Sequence, residues 1–119
     1  MKSFSATLPF PPSVNAIWRN FGGNRTIKSK AYRDWERLAD SGKPSGIVTL
    51  QGNVVALYTF GRPDKRRRDV ANYEKGPSDT MTRWGVLSDD SQIIDIRLRW
   101  DTTGEIKPGQ CRVELVEAC

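Results

Sequence analysis

The sequence predicts a mixed α/β (α+β) fold, a two-layer sandwich of one mixed sheet with two main helices packed on it. Three observations lead there. Several short segments alternate apolar and polar residues with the period of a strand, and two others carry apolar residues at helical spacing. The resulting order, strand, helix, strand, helix, strand, strand, runs through 119 residues with no repeat and no linker. That length suits one domain and is too short for two, so residues 1–119 are read as a single domain.

Residues 3–9 alternate Phe4, Ala6 and Leu8 against Ser3, Ser5 and Thr7, and read as a half-buried strand. Pro9, Pro11 and Pro12 end it, because proline cannot continue a ladder. Residues 13–30 form a long polar loop, and a loop of that length in a small domain is functional or disordered. Residues 29–39 predict the first helix, with Tyr32, Trp35, Leu38 and Ala39 at helical spacing. Residues 41–46 are a turn rich in glycine, proline and serine. An extended stretch over 47–60 places Val54, Ala56, Tyr58 and Phe60 on one face, with Gly52-Asn53 as a candidate break.

After the basic connector GRPDKRRR (residues 61–68), residues 70–84 show helical periodicity, and Gly85 stands where a glycine stops a helix. Gly76-Pro77 lies inside this span, so a kink or restart is expected near Gly76. Residues 93–100 alternate Ile94, Ile96, Leu98 and Trp100 against Asp95, Arg97 and Arg99, a strand with a charged outer face. Residues 101–109 are a turn region, and 111–116 form the closing strand.

The net charge of +5 and a pI near 9.5 favour a polyanionic partner such as nucleic acid. No apolar run reaches the roughly 18–20 residues of a membrane span, so no membrane association is expected. Residues 1–10 lack a signal-peptide layout, which points to the cytoplasm. Cys111 and Cys119 are the only cysteines and histidine is absent, a poor set for zinc or for a disulfide. Acid–base or metal chemistry must therefore use carboxylates, lysine, tyrosine or water. A core of this size also gains from self-association.

The chemistry-bearing segment is RRRDVANYEK (residues 66–75) together with GVLSDDSQI (residues 85–93). Asp69 stands at the N-cap of the second helix, a complete structural explanation in itself. Asn72, Lys75 and Asp79 follow at spacings that put them on one stripe, opposite Val70, Tyr73, Met81 and Trp84. Many helices divide this way for solubility only. Asp89-Asp90 precede a strand, and adjacent acids are costly unless solvated or holding a cation. Acids set in a basic surface suit a metal-dependent nuclease, with cations on the phosphodiester backbone and carboxylates on a hard divalent ion. Lys75 is placed to stabilise developing negative charge.

These residues resemble the RusA family of Holliday junction resolvases along nearly the whole chain. LPFPPSVN (residues 8–15) is similar to that family's opening motif and AYRDW (31–35) to its first helix. The strongest match is the basic run with D-x-x-N-x-x-K-x-x-x-D (Asp69, Asn72, Lys75, Asp79), followed by GVLSDDSQI. The resemblance implies a homodimer that binds four-way DNA junctions and cuts them symmetrically with Mg2+, for which Mn2+ substitutes, and no small-molecule cofactor. It implies Asp69 and Asp90 as metal ligands and catalytic residues, Asp89 as their support in the metal shell, and Lys75 as the catalytic lysine. DNA contacts are expected from Arg19, Arg25, Lys28, Lys65, Arg66, Arg67, Arg68 and Asn72. It also makes a phage-derived origin and a role in DNA recombination and repair plausible.

One position departs from the pattern. The family reads D-x-D-N, and here the second acid is Ala71, with Glu74 the nearest carboxylate that might substitute. Ala71 is open to three readings: a subfamily variant with a different metal shell, a chain inactivated to trap a complex, or a junction-binding protein without cleavage. A basic domain for an acidic protein partner is the competing class.

Overall fold

The computed structural model describes residues 1–20 and 26–118. Its main sheet has the order β1-β6-β4-β5, built from β1 (Ser3–Pro9), β6 (Gln110–Glu117), β4 (Val54–Phe60) and β5 (Ile93–Trp100). β6 pairs antiparallel with β1 and β4, whereas β4 and β5 are parallel, so the sheet is mixed as expected. The alternation read in β1 holds: Leu8 is buried and Phe4 and Ala6 half-buried, while Ser3, Ser5 and Thr7 face solvent. Val54, Ala56, Tyr58 and Phe60 of β4 are buried together with Cys111, Val113 and Leu115 of β6.

Two helices cover this face. α1 (Lys30–Ser41) is capped by Ser29, whose Oγ accepts from Tyr32 N at 3.1 Å. It buries Tyr32, Trp35 and Ala39, and Trp35 Nε1 donates to Pro9 O at 3.0 Å. Leu38, expected with that stripe, is exposed, because it points about 100° away from Ala39. α2 (Lys75–Arg83) brings Met81, and beyond its end Trp84, Val86 and Leu87, into the same core.

The structure corrects five boundaries or faces. The loop 13–30 is not irregular throughout: β2 (Trp18–Asn20) and β3 (Thr26–Lys28) pair antiparallel as a second small sheet, so the protein has two sheets and not one. Three-residue strands carry too little pattern to read. The extended stretch begins only at Val54, because residues 47–53 are held by loop bonds: Leu50 N to Val86 O at 2.9 Å, and Gln92 Nε2 to Gly52 O at 2.9 Å.

The span 70–84 divides into a 3₁₀ turn (Val70–Tyr73) followed by α2, with the restart at Lys75, one residue before Gly76. Pro77 sits in the first turn of α2, where a missing N–H costs nothing. Gly76 is required by closeness, since a Cβ there would lie 3.2 Å from Pro11 Cβ and from the Trp35 ring. Leu38 and the outer half of β5 complete the corrections. Ile94 and Ile96, expected on the packed face, are 59% and 37% exposed, because the layer of side chains covering this edge strand reaches only Leu98 and Trp100.

At the far end of β5 an aromatic cluster closes the core. Phe10, Phe60, Tyr73 and Trp100 pack with ring centroids between 4.9 and 6.2 Å apart. No helix among the described residues is long and apolar enough to cross a membrane.

The connector 61–68 leaves β4 through a tight crossing. A Cβ on Gly61 would lie 2.2 Å from Lys107 O and 2.9 Å from Ile106 O, both backbone atoms that side-chain motion cannot move aside. Gly61→Ala is expected to destabilise the protein by about 3 kcal/mol, read as a lower midpoint in chemical denaturation, while Gly104→Ala serves as a control for glycine loss at a site with open space.

Candidate functional site

The connector turns on Asp64. Its carboxylate takes the backbone N–H of Arg66 at 2.9 Å and the Arg66 Nε at 3.2 Å, and it also accepts from Arg68 Nη2 at 3.0 Å. The Arg68 pair first, then the Arg66 backbone N–H, holds the Asp64 carboxyl far below the ordinary carboxylate range. Arg66 and Arg68 are thus tied to an acid of their own segment, whereas Arg62 lies over the Trp100 ring at 4.4 Å. Lys65, Arg66 and Arg67 are exposed.

Asp69 follows at the N-cap of the 3₁₀ turn, with its backbone O accepting from Asn72 N at 3.0 Å, but its side chain makes no capping bond. The carboxylate is therefore not consumed by the local structure. It lines a cleft of about 640 Å³ with Ser13, Arg62, Arg67, Arg68, Asn72 and Tyr73. An adjoining hollow of about 530 Å³, walled by Pro11, Pro12, Arg66 and Ala16, shares Ser13, Arg67, Arg68 and Tyr73 with it. The cleft is an acid among cations, formed where the basic run passes the proline-rich end of β1.

Asp89 and Asp90 occupy a second cleft of about 430 Å³, with Lys28, Glu36, Asp79, Thr82 and Arg83. Here the two acids differ. Asp89 caps a 3₁₀ turn (Asp90–Gln92) in a reciprocal arrangement, its Oδ2 accepting from Ser91 N at 3.1 Å while Gln92 Oε1 accepts from Asp89 N at 3.2 Å. The Ser91 bonds also keep its carboxyl below the ordinary range. Asp90 is exposed within that turn.

Between the clefts in chain order stands the pair Lys75 Nζ–Asp79 Oδ1 at 3.2 Å, with Tyr32 Oη donating to Asp79 Oδ2 at 3.0 Å. The bond to Asp79, with the fields of Asp79 and Asp90, raises the Lys75 pKa above its ordinary value. Lys75 is therefore a fixed cation at neutral pH, suited to stabilising negative charge and not to accepting a proton. Asp79 does not pair with Arg83, which instead binds Asp40 at 2.7 Å and Glu36 at 3.1 Å.

The structure thus brings Asp69 together with Arg67, Arg68 and Asn72, and Asp90 together with Asp89 and Lys28, but it places the two groups in separate clefts. Among the described residues, no three acidic or thiol side chains stand together as a metal-holding set. Ala71 is exposed on the 3₁₀ turn and contributes no oxygen, and Glu74 lines neither cleft. A magnesium ion usually takes one or two carboxylates, keeps several waters and shares a substrate phosphate. The unspent carboxylates of Asp69 and Asp90 fit an ion held in that sparse way, and they do not fit a closed protein cage.

Arg19 is exposed on β2, and Lys28 on β3 pairs with Glu36 at 3.0 Å. Arg25 lies outside the described residues. Arg62, Ser13 and Tyr73 line the Asp69 cleft without having been singled out in the sequence. Arg62 carried a readable signal as part of the basic connector, whereas Ser13 and Tyr73 are recruited by the fold.

The family model for endodeoxyribonuclease RusA matches residues 9–115. The chain belongs to the RusA family. It is 35% identical over 101 residues to the crossover junction endodeoxyribonuclease RusA of Escherichia coli strain K12, covering 82% of each chain. The proteins of the same name from Enterobacteria phage 82 and phage HK97 are 36% and 33% identical over the same length. The RusA match spans β1's end through most of β6, and so includes both clefts.

The Asp64 anchor makes a pH prediction. A depressed folded pKa means that the attachment is present above the ordinary carboxylate range and is lost only as pH falls through the depressed value. Carboxyl-carbon NMR is expected to show Asp64 ionised down to about pH 3, where a free aspartate is already mostly protonated. Titration of Asp64 at an ordinary value would contradict the anchor.

Proposed function

We propose that this RusA-family chain is a magnesium-dependent, structure-specific endodeoxyribonuclease that resolves four-way DNA junctions by paired symmetric cuts, acting as a homodimer. The observation that carries the proposal is the uncapped Asp69 carboxylate in a cleft walled by Arg62, Arg67 and Arg68, in a chain similar to proteins named crossover junction endodeoxyribonucleases.

Each residue has a part. Arg67 and Arg62 bind the phosphodiester backbone without reading sequence. Arg68, fixed by Asp64, presents a guanidinium of set orientation, and Asn72 offers an amide donor beside Asp69. Lys65, Arg66, Arg19 and Lys28 widen the basic surface, with Arg25 in the same loop. Asp69 and Asp90 hold Mg2+, or Mn2+ in its place, and Asp89 keeps the Asp90 turn in shape through its cap. When bound, the ion supplies Lewis-acid polarisation of the scissile phosphate. Lys75, a cation held by Asp79, stabilises the charge that grows on the phosphate oxygens. The setting is cytoplasmic, on nucleoid DNA, in recombination and repair, with a phage-derived origin.

A second reading rests on Ala71, which leaves the Asp69 turn with a single carboxylate: a junction-binding protein with impaired cleavage. One assay separates the two. A labelled synthetic four-way junction is incubated with the protein, with and without magnesium. Paired nicks that require magnesium are expected, and Asp69→Asn or Asp90→Asn is expected to lower the rate by roughly 10²–10³-fold while leaving salt-sensitive binding in place. Cleavage appearing only in Ala71→Asp would establish the second reading, and none in either protein would refute both.

A further inference from the structure

β5 is the open edge of the main sheet, and its outer half is uncovered. Its inner side pairs with β4, and no strand among the described residues pairs with its other side. Ile94 is 59% and Ile96 37% exposed, with Asp95 and Arg97 exposed between and beyond them. A bare, partly apolar edge strand of eight residues is a template for another strand unless something protects it. No proline or bulge on that free side guards it, and the register irregularity noted in β5 lies on the β4 side, near Val54.

The sequence of the strand selects the partner. Residues directly opposite in an antiparallel pair share a face of the sheet, so a two-fold axis relating two copies of β5 must pass through a residue. An axis at Ile96 sets Ile96 opposite its own copy and Ile94 opposite Leu98. On the other face it sets Asp95 opposite Arg97, twice by symmetry. An axis at Asp95 would oppose two aspartates, and one at Leu98 would oppose Arg97 to Arg99. An axis at Arg97 would stack two arginines and draw on Arg99, whose Nε already donates to Thr59 Oγ1 at 3.1 Å. Only the Ile96 register joins like to like on the apolar face and acid to base on the charged face. This is the self-complementarity that an isologous interface demands.

We propose that the free edge of β5 is the homodimer seam, a second copy pairing antiparallel about Ile96 with reciprocal Asp95–Arg97 contacts. The pairing covers Ile94 and Ile96, and makes one continuous sheet of two protomers. It rests on the dimeric reading above for its purpose, since paired cuts need two sites, and not for its chemistry. Asp95, Ile96 and Arg97 line neither of the two clefts described.

The test needs no DNA and no metal. Sedimentation velocity across a concentration series is expected to show a dimer. Asp95→Arg opposes four like charges and is expected to weaken association by tenfold or more, on the order of what several cross-strand charge pairs supply. Asp95→Arg combined with Arg97→Asp restores the pairs in reverse and is expected to recover the dimer. Ile96→Cys fixes the register: under mild oxidation it is expected to give a disulfide-linked dimer, which an axis elsewhere on the strand would not allow. Circular dichroism on each variant checks that it is folded. A native monomer at every concentration overturns the seam, as does a dimer that Asp95→Arg leaves equally tight. Junction cleavage is measured separately, so a dimer through another surface would leave the nuclease reading standing while refuting this one.

Discussion

Parallel pairing of β4 with β5 is the constraint on which the site depends. Parallel neighbours cannot be joined by a tight turn, and the chain must cross over the sheet between them. Here the crossover runs from Gly61 to Gln92, and it carries the basic run, Asp69, Asn72, Lys75, Asp79, Asp89 and Asp90. α2 lies on the core face through Met81, with Tyr73 and Trp84 packed on either side of it, so the crossover is pinned along its length. Its polar side is left to form both clefts. The first acid stands just after the connector leaves β4, and the last just before the chain enters β5.

Local structure then decides which carboxylates are available. Asp64 is occupied by Arg66 and Arg68, Asp79 by Lys75 and Tyr32, Asp40 by Arg83 and Trp84, and one oxygen of Asp89 by Ser91. Asp69 escapes, although its position invites capping, because its turn is 3₁₀ and its side chain makes no bond to it. This partition is more informative than the count of acids. It separates those that build the scaffold from those free to meet a cation, and it makes Lys75 a stabilising charge through the same Asp79 that anchors it to α1's Tyr32.

Much of this was legible in the residues. Period-two alternation found β1, β6 and the core face of β4, and the capping serine found α1 within a residue. The D-x-x-N-x-x-K spacing, with the two acids before a strand, marked the site and the family. What escaped has physical reasons. β2 and β3 are too short to show a period, and residues 47–53 borrow their hydrogen bonds from Val86 and Gln92, which lie far away in sequence. Ile94 and Ile96 follow a packed-strand pattern, yet whether an edge is covered depends on which strand comes last in the sheet. Ser13 and Tyr73 reach the Asp69 cleft through chain reversals that no local pattern encodes.

The central claim is that the crossover's unspent carboxylates receive the divalent ion. Paramagnetic manganese added in sub-stoichiometric amounts to isotopically labelled protein tests it residue by residue. The account predicts that amide signals around Asp69, Asn72 and Asp90 broaden first and recover when magnesium is added in excess. Broadening centred instead on the Asp101–Glu105 turn, or spread evenly over the surface acids, would contradict it.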